Sequence, residues 1–233
     1  MNKEEFVKAL ENLNITLNQK QLNDLDTYYK MLIEYNAHTN LTRITEEKEV
    51  YLKHFYDSLT LIKAVNLNSQ TLLDIGTGAG FPGLVLKIVF PNLKVVLLDS
   101  LNKRITFLNS VIEKLDLKDV MAVHERAECY ALTNREKFDI VTSRAVANLN
   151  TLSELSIPFV KKGGYFIAMK ADAKEEIENA QNAIKTLGGV IKEIIIFELP
   201  NKNGTRTLIK IQKKYKTSVK YPRKFSEIKK KPL

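Results

Sequence analysis

The sequence predicts an α/β fold: a seven-stranded, mostly parallel sheet with an antiparallel last strand, preceded by an N-terminal helical extension. Three observations carry that prediction. First, residues 71–83 read Thr-Leu-Leu-Asp-Ile-Gly-Thr-Gly-Ala-Gly-Phe-Pro-Gly, an apolar run that ends in an acid and then holds Gly76, Gly78, Gly80 and Gly83. That is the layout of strand, tight loop and helix in a nucleotide-binding α/β sheet. Second, apolar runs alternate with helical stretches from residue 71 onward, the pattern of a parallel sheet covered on both faces. Third, the last two apolar runs are joined by Leu199-Pro-Asn-Lys-Asn-Gly204. No helix fits there, so these two runs form an antiparallel hairpin.

The elements follow in order. Residues 1–66 form a helical extension. Phe6, Leu10, Leu13 and Leu17 recur at helical spacing, and Asn18-Gln-Lys-Gln21 is a capping box for a second helix. That helix carries Leu22, Leu25, Tyr29, Leu32 and Ile33 on one side. Asn40-Leu-Thr-Arg-Ile44 breaks the pattern, and Thr45 followed by two acids starts a third helix. Its Tyr51, Phe55 and Leu59 are read as core contacts. Residues 67–212 form the sheet domain. Strands are expected near 71–75, 94–98, 119–123, 138–142, 163–169, 190–197 and 206–212, and helices near 82–90, 102–115, 148–158 and 172–187. Pro82 suits the first helical turn, where its missing N–H costs nothing. Residues 213–233 form a basic C-terminal tail.

Composition bounds the setting. The chain has one cysteine, Cys129, so an internal disulfide is impossible and a reducing compartment is expected. The N-terminus lacks a signal-peptide core, and no apolar run reaches the ~18 residues of a membrane span. A soluble, cytoplasmic protein without membrane partners is expected, with a monomer as the default. His38, His54 and His124 sit in no metal-ligand spacing, so no metal is expected. The net charge is +9, and residues 213–233 hold nine Lys/Arg against one acid, Glu227. Such a segment is either a solvated tail or an arm for a polyanion. Tyr215, Tyr221 and Phe225 interleave with the charges, and aromatic faces stack on bases, which favours nucleic acid. Removing the tail is expected to weaken RNA binding and leave cofactor affinity nearly intact.

The glycine loop admits two cofactors. Gly78-x-Gly80-x-x-Gly83 with Asp99 closing the second strand matches a dinucleotide fingerprint. Asp74 before the first glycine suits a cationic amino-acid cofactor better than a pyrophosphate. The hairpin end of the sheet is usual for S-adenosylmethionine-dependent methyltransferases. These two features favour S-adenosylmethionine, with Asp99 accepting hydrogen bonds from ribose hydroxyls; both acids could instead cap the loop. After the third strand, Glu125-Arg-Ala-Glu128 either borders the adenine or is a surface turn. The fourth strand ends in Thr142-Ser-Arg-Ala145, where Arg144 either grips an anion or makes a helix-entry salt bridge. Attack by an exocyclic amine, by a pyrimidine carbon or by a ribose hydroxyl each needs residues absent at this edge. A nucleophile that needs no deprotonation, such as N7 of guanine, is consistent with what remains, and no residue is named as a chemical catalyst.

Taken together, the motifs resemble the bacterial RsmG (GidB) family of 16S ribosomal RNA guanine-N7 methyltransferases. The carrying residues are Asn40–Ile44, His54-Phe-Tyr-Asp-Ser-Leu59, Asp74–Gly83, Leu98-Asp-Ser-Leu-Asn-Lys-Arg-Ile-Thr-Phe-Leu108, Arg126-Ala-Glu128, Ser143-Arg-Ala-Val-Ala147 and Tyr221-Pro-Arg-Lys224. The resemblance implies a class I, Rossmann-like methyltransferase fold and methylation at N7 of guanine 527 in the 530 loop of 16S rRNA, as free RNA or in the small ribosomal subunit. It implies cofactor contacts at Gly76, Phe81, Ala127, Glu128 and Arg144, to which the loop reading adds Gly78 and Asp99. Arg223 and Lys224 are expected at the RNA. After Lys224 the chain departs from the family's Gly-Thr-Pro-Asn-Lys-like run and reads Phe225-Ser-Glu-Ile-Lys-Lys-Lys. A small-molecule methyltransferase and a non-catalytic RNA-binding factor are the competing readings.

Overall fold

The computed structural model describes residues 1–144 and 146–233; Ala145, inside the Ser143–Ala147 motif, lies outside the described residues. Seven strands form one sheet: β1 Thr71–Ile75, β2 Lys94–Asp99, β3 Val120–His124, β4 Phe138–Arg144, β5 Val160–Lys170, β6 Gly189–Glu198 and β7 Thr205–Lys213. Their order is β3-β2-β1-β4-β5-β7-β6. The pairs among β1 to β5 are parallel, and β7 runs antiparallel between β5 and β6. Strand order reverses between β1 and β4, so a crevice opens at their C-terminal ends, where such sheets bind ligands.

The helices are α1 Lys3–Leu10, α2 Gln19–Thr39, α3 Glu47–Val50, α4 Asp57–Leu59, α5 Gly83–Val89, α6 Asn102–Lys114, α7 Ala127–Asn134, α8 Leu149–Ser156, α9 Lys174–Asn179, α10 Gln181–Thr186 and α11 Phe225–Lys230. Central β1 is buried from Leu72 to Ile75, as a strand covered on both faces must be. Leu72 joins one apolar cluster and Leu73 the other, so the period of two sorts side chains between the faces.

The first of these clusters also contains Phe6, Leu10, Tyr28, Leu32 and Phe55, so the N-terminal helices share a core with the sheet. The expected capping box is present in both directions at 2.9 Å between Asn18 and Gln21. Gln21 also donates to Ile88 O and Val89 O, closing the C-terminus of α5. Tyr28 packs at 5.5 Å from Phe55 and 5.6 Å from Phe81, and its hydroxyl donates to Ala79 O. The extension therefore holds the glycine loop directly.

Three local expectations are corrected. The third helix starts at Glu47, with Glu46 rather than Thr45 at the cap position, and no side chain bonds there. Between α3 and α4 the backbone widens to a π-helical run, Tyr51–Tyr56, a form that recurs at functional sites. Residues 127–134, not read as a helix, form α7, a short one with only Ala131 buried and so little periodic signal.

The basic tail is not a detached arm. The Lys213 ammonium is buried, donates to Ile157 O at 3.0 Å and to the Thr217 hydroxyl, and is pushed down to about 8 by burial. Arg135 donates to Thr217 O, Ser218 O and Tyr221 O. Tyr221 and Ile228 are buried. Charge composition marks a segment as solvated, but these apolar side chains dock it onto the domain.

Candidate functional site

The glycine loop is built by backbone hydrogen bonds that its sequence permits. Gly76 N and Thr77 N donate to Leu98 O at 2.8 and 3.1 Å, tying the loop to the end of β2. Gly76 and Gly78 have φ of 66° and 60°, which side chains resist. Asp74 lies beneath the loop, fully buried. Its Oδ2 accepts from the Thr77 hydroxyl at 2.7 Å and from Gly83 N at 2.8 Å. Burial pushes its carboxyl up to about 6, and Oδ1 has no partner among the described residues. Asp74 thus clasps the loop to the start of α5 rather than facing a ligand.

Above the loop is a cavity of about 520 Å³. Gly76, Gly78, Phe81, Asp99, Ala127, Glu128 and Arg144, the seven cofactor positions expected from the sequence, all line it. Asp99 accepts from Gly78 N at 2.9 Å, from Leu101 N at 3.0 Å and from Arg104 Nη1 at 2.9 Å. Ala127 and Glu128 open α7, where N–H groups have no intrahelical acceptor. Glu128 Oε1 accepts from Arg126 Nε at 2.7 Å.

Arg144, at the end of β4, is held by the N-terminal run. Its Nη1 donates to Asp57 Oδ2 at 3.1 Å and Lys53 O at 3.0 Å, and its Nη2 to His54 Nδ1 at 3.1 Å. Arg206 Nε donates to the other Asp57 oxygen at 2.9 Å. Arg144 therefore makes a salt bridge, to Asp57 rather than to a helix entry, and its guanidinium also lies 5.3 Å from the Phe81 ring. His54 stacks on that ring at 4.2 Å and 13°. Arginine only donates, so His54 Nδ1 is the acceptor and Nε2–H donates to Thr42 Oγ1 at 2.9 Å. Burial, then the Arg144 charge, lowers the His54 pKa to about 3, so the ring is neutral.

Sequence reasoning missed His54, Thr42, Asp57, Arg104 and Arg206 at this site. The first three lie in the quoted motifs Asn40–Ile44 and His54–Leu59, which gave presence but no geometry. Of the two expected RNA contacts, Lys224 is exposed. Arg223 is turned inward: its backbone N–H, Nε and Nη2 all reach Glu154 at 2.9, 2.8 and 2.5 Å.

The residues fit S-adenosylmethionine. A Cβ on Gly78 would meet nothing within 4 Å, so the loop leaves open space where a ligand passes. The cavity size is within the roughly 300–1,000 Å³ of small-molecule sites. Carboxylates and open N–H groups stand at the α7 end for hydroxyls and a base edge, and an aromatic wall stands at Phe81.

Comparison with known proteins agrees with this geometry. The GidB family, rRNA small subunit methyltransferase G, matches residues 21–208. Ribosomal RNA small subunit methyltransferase G of Staphylococcus carnosus is 51% identical, covering 100% of this chain and 99% of that protein. That of Lachnoclostridium phytofermentans is 52% identical over 98% of this chain and 96% of its own length. Among solved structures, a SAM-dependent methyltransferase from Aquifex aeolicus aligns with a TM-score of 0.55 at 16% identity, covering 74% of this chain and 97% of that one. TYW2 from M. jannaschii, solved with AdoMet, aligns with a TM-score of 0.53 at 13% identity, over 64% and 72%. These structural likenesses show the fold, the class I S-adenosylmethionine-dependent methyltransferase sheet with its antiparallel last strand. With the family match spanning most of the chain and relatives near half identity over its full length, the chain belongs to the rRNA small subunit methyltransferase G (GidB) family.

Proposed function

We propose that this enzyme transfers the methyl group of S-adenosylmethionine to N7 of guanine 527 in the 530 loop of 16S rRNA, acting as a cytoplasmic monomer on the RNA or the small ribosomal subunit. Family membership supports the substrate class. The observation that bears on the nucleophile is the state of His54. It is a titratable ring on the cavity wall, yet its basic Nδ1 is engaged by Arg144 and its neutral form is strongly favoured. It is therefore no general base. Guanine N7 carries a lone pair at neutral pH and needs none.

When bound, S-adenosylmethionine supplies a methyl group on a sulfonium. The N7–CH3 bond forms as the S–CH3 bond breaks, leaving S-adenosylhomocysteine and a cationic 7-methylguanine. The protein's part is alignment and exclusion of water. Gly76, Gly78 and Phe81 hold the cofactor along the loop, and Ala127 and Glu128 meet the base. Asp99, which accepts from Gly78 N, Leu101 N and Arg104 Nη1, would accept from the ribose hydroxyls. Asp57 offsets the Arg144 charge on the cavity wall. Lys224 stands for the RNA, while Arg223 secures the tail.

Borohydride/aniline cleavage of 16S rRNA from cells lacking this protein tests the reading. Loss of the cut at guanine 527, restored by the gene, is expected; an unchanged pattern overturns it. The small-molecule reading gives the exposed lysines of the tail no task.

A further inference from the structure

We propose that Phe225, on the C-terminal tail, is a cofactor-contacting residue: its ring forms the wall on which the adenine of S-adenosylmethionine packs. This rests on the cofactor reading above. Phe225 lies where the tail departs from the family's usual run, and it lines the cavity together with Arg126, Ala127, Glu128 and Leu155. Its ring is half-buried, and the Arg126 guanidinium stands 5.0 Å from its centroid. Arg126 precedes the two residues of α7 assigned to the base, so ring and base edge belong to one end of the cavity.

The ring is fixed from both sides. Two residues before it, Arg223 forks onto Glu154, a carboxylate with no solvent exposure. Three residues after it, Ile228 is buried beside α8. A ring held this way loses little freedom on binding a flat ligand, and an aromatic face takes up a purine by stacking. The last segment of the chain is therefore part of the cofactor site, and removing residues 213–233 removes a wall of it. On this proposal, cofactor affinity falls with that deletion, against the expectation drawn from the sequence.

The test is calorimetric titration of S-adenosylmethionine into the full-length protein and into F225A, F225L and F225Y, with thermal melts of each. A Kd raised about tenfold in F225A, partly recovered in F225L and close to the parent value in F225Y, is expected from the size of base–aromatic stacking. Parent-like affinity in a folded F225A or F225L overturns the proposal. Absence of binding by the parent protein overturns the cofactor reading itself, so the two failures are distinguishable. F225L preserves apolar volume, so it reports on the ring even if F225A proves unstable in its melt.

Discussion

Asp57 and Arg144 join the N-terminal extension to the C-terminal edge of the sheet: Oδ2 of one accepts from Nη1 of the other at 3.1 Å, 87 residues apart in the chain. Asp57 is 3% exposed and also holds Arg206, so one carboxylate offsets two guanidinium groups. Removing one partner of a buried ion pair leaves charge uncompensated, which costs about 3–5 kcal/mol. D57N is expected to lose about that much in urea denaturation. A loss under about 1 kcal/mol would mean that solvent already screens the pair.

His54 makes stability depend on pH with a definite sign. Its pKa is about 6.5 when unfolded and about 3 when folded. Between those values the unfolded chain binds the extra proton, so this group's stabilisation is complete above pH 6.5 and is lost as pH falls, at about 1.4 kcal/mol per unit. Asp74 acts oppositely: its folded pKa is raised to about 6, so its contribution falls as pH rises from about 4 to 6. The two offset each other in the parent protein. H54N removes the first alone, so its stability is expected to fall more steeply with rising pH between 4 and 6 than the parent's. Parallel pH profiles would contradict this.

The loop glycines separate binding from folding. A Cβ at Gly80 would lie 2.5 Å from the Tyr28 hydroxyl oxygen and 2.9 Å from both Leu84 Cβ and Leu108 Cδ2, with φ at 103°. G80A is expected to destabilise the protein by more than about 2 kcal/mol, through overpacking and backbone strain. At Gly78 a Cβ meets no protein atom, so G78A carries only the left-handed cost of about 1–2 kcal/mol. Its methyl enters the ligand's space, so S-adenosylmethionine affinity falls while the fold persists. Equal melting losses and unchanged affinity in G78A would refute the assignment.

Much of this was legible in the sequence. Local rules placed the seven strands within a few residues, because β1 to β5 carry dense apolar runs and the 199–204 loop leaves no space for a helix. The Asn18–Gln21 box was readable because capping is local. What escaped reading was long-range. Asp74 precedes the glycines, which suggested a ligand contact, yet only the fold shows its oxygens turned under the loop to Thr77 and Gly83. The tail's charge suggested a solvated segment or an arm for a polyanion, yet Tyr221, Arg223 and Ile228 dock it onto the domain. His54 stood in a motif but its role gave no signal, since that role follows from Phe81 and Arg144, 27 and 90 residues away. Side-chain partners of that kind have no periodicity to betray them.

The same tail predicts a split between RNA and cofactor. Lys224, Lys229, Lys230 and Lys231 have exposed side chains, and no hydrogen bond or ion pair engages those side chains among the described residues. Lys213 and Arg223, by contrast, are built into the domain by Glu136, Thr217 and Glu154. These four, like the exposed Lys214, Lys216 and Lys220, can release counterions from phosphates. Changing them together to Gln is expected to lower the slope of log K against log salt for 16S rRNA by about 0.7–0.9 for each phosphate left without its lysine. Their ammonium groups do not line the cavity, so S-adenosylmethionine affinity stays at the parent value in the same protein. F225A is the converse variant, with cofactor affinity reduced and the salt slope kept. If the four-lysine variant keeps its salt slope, RNA does not bind at these four side chains.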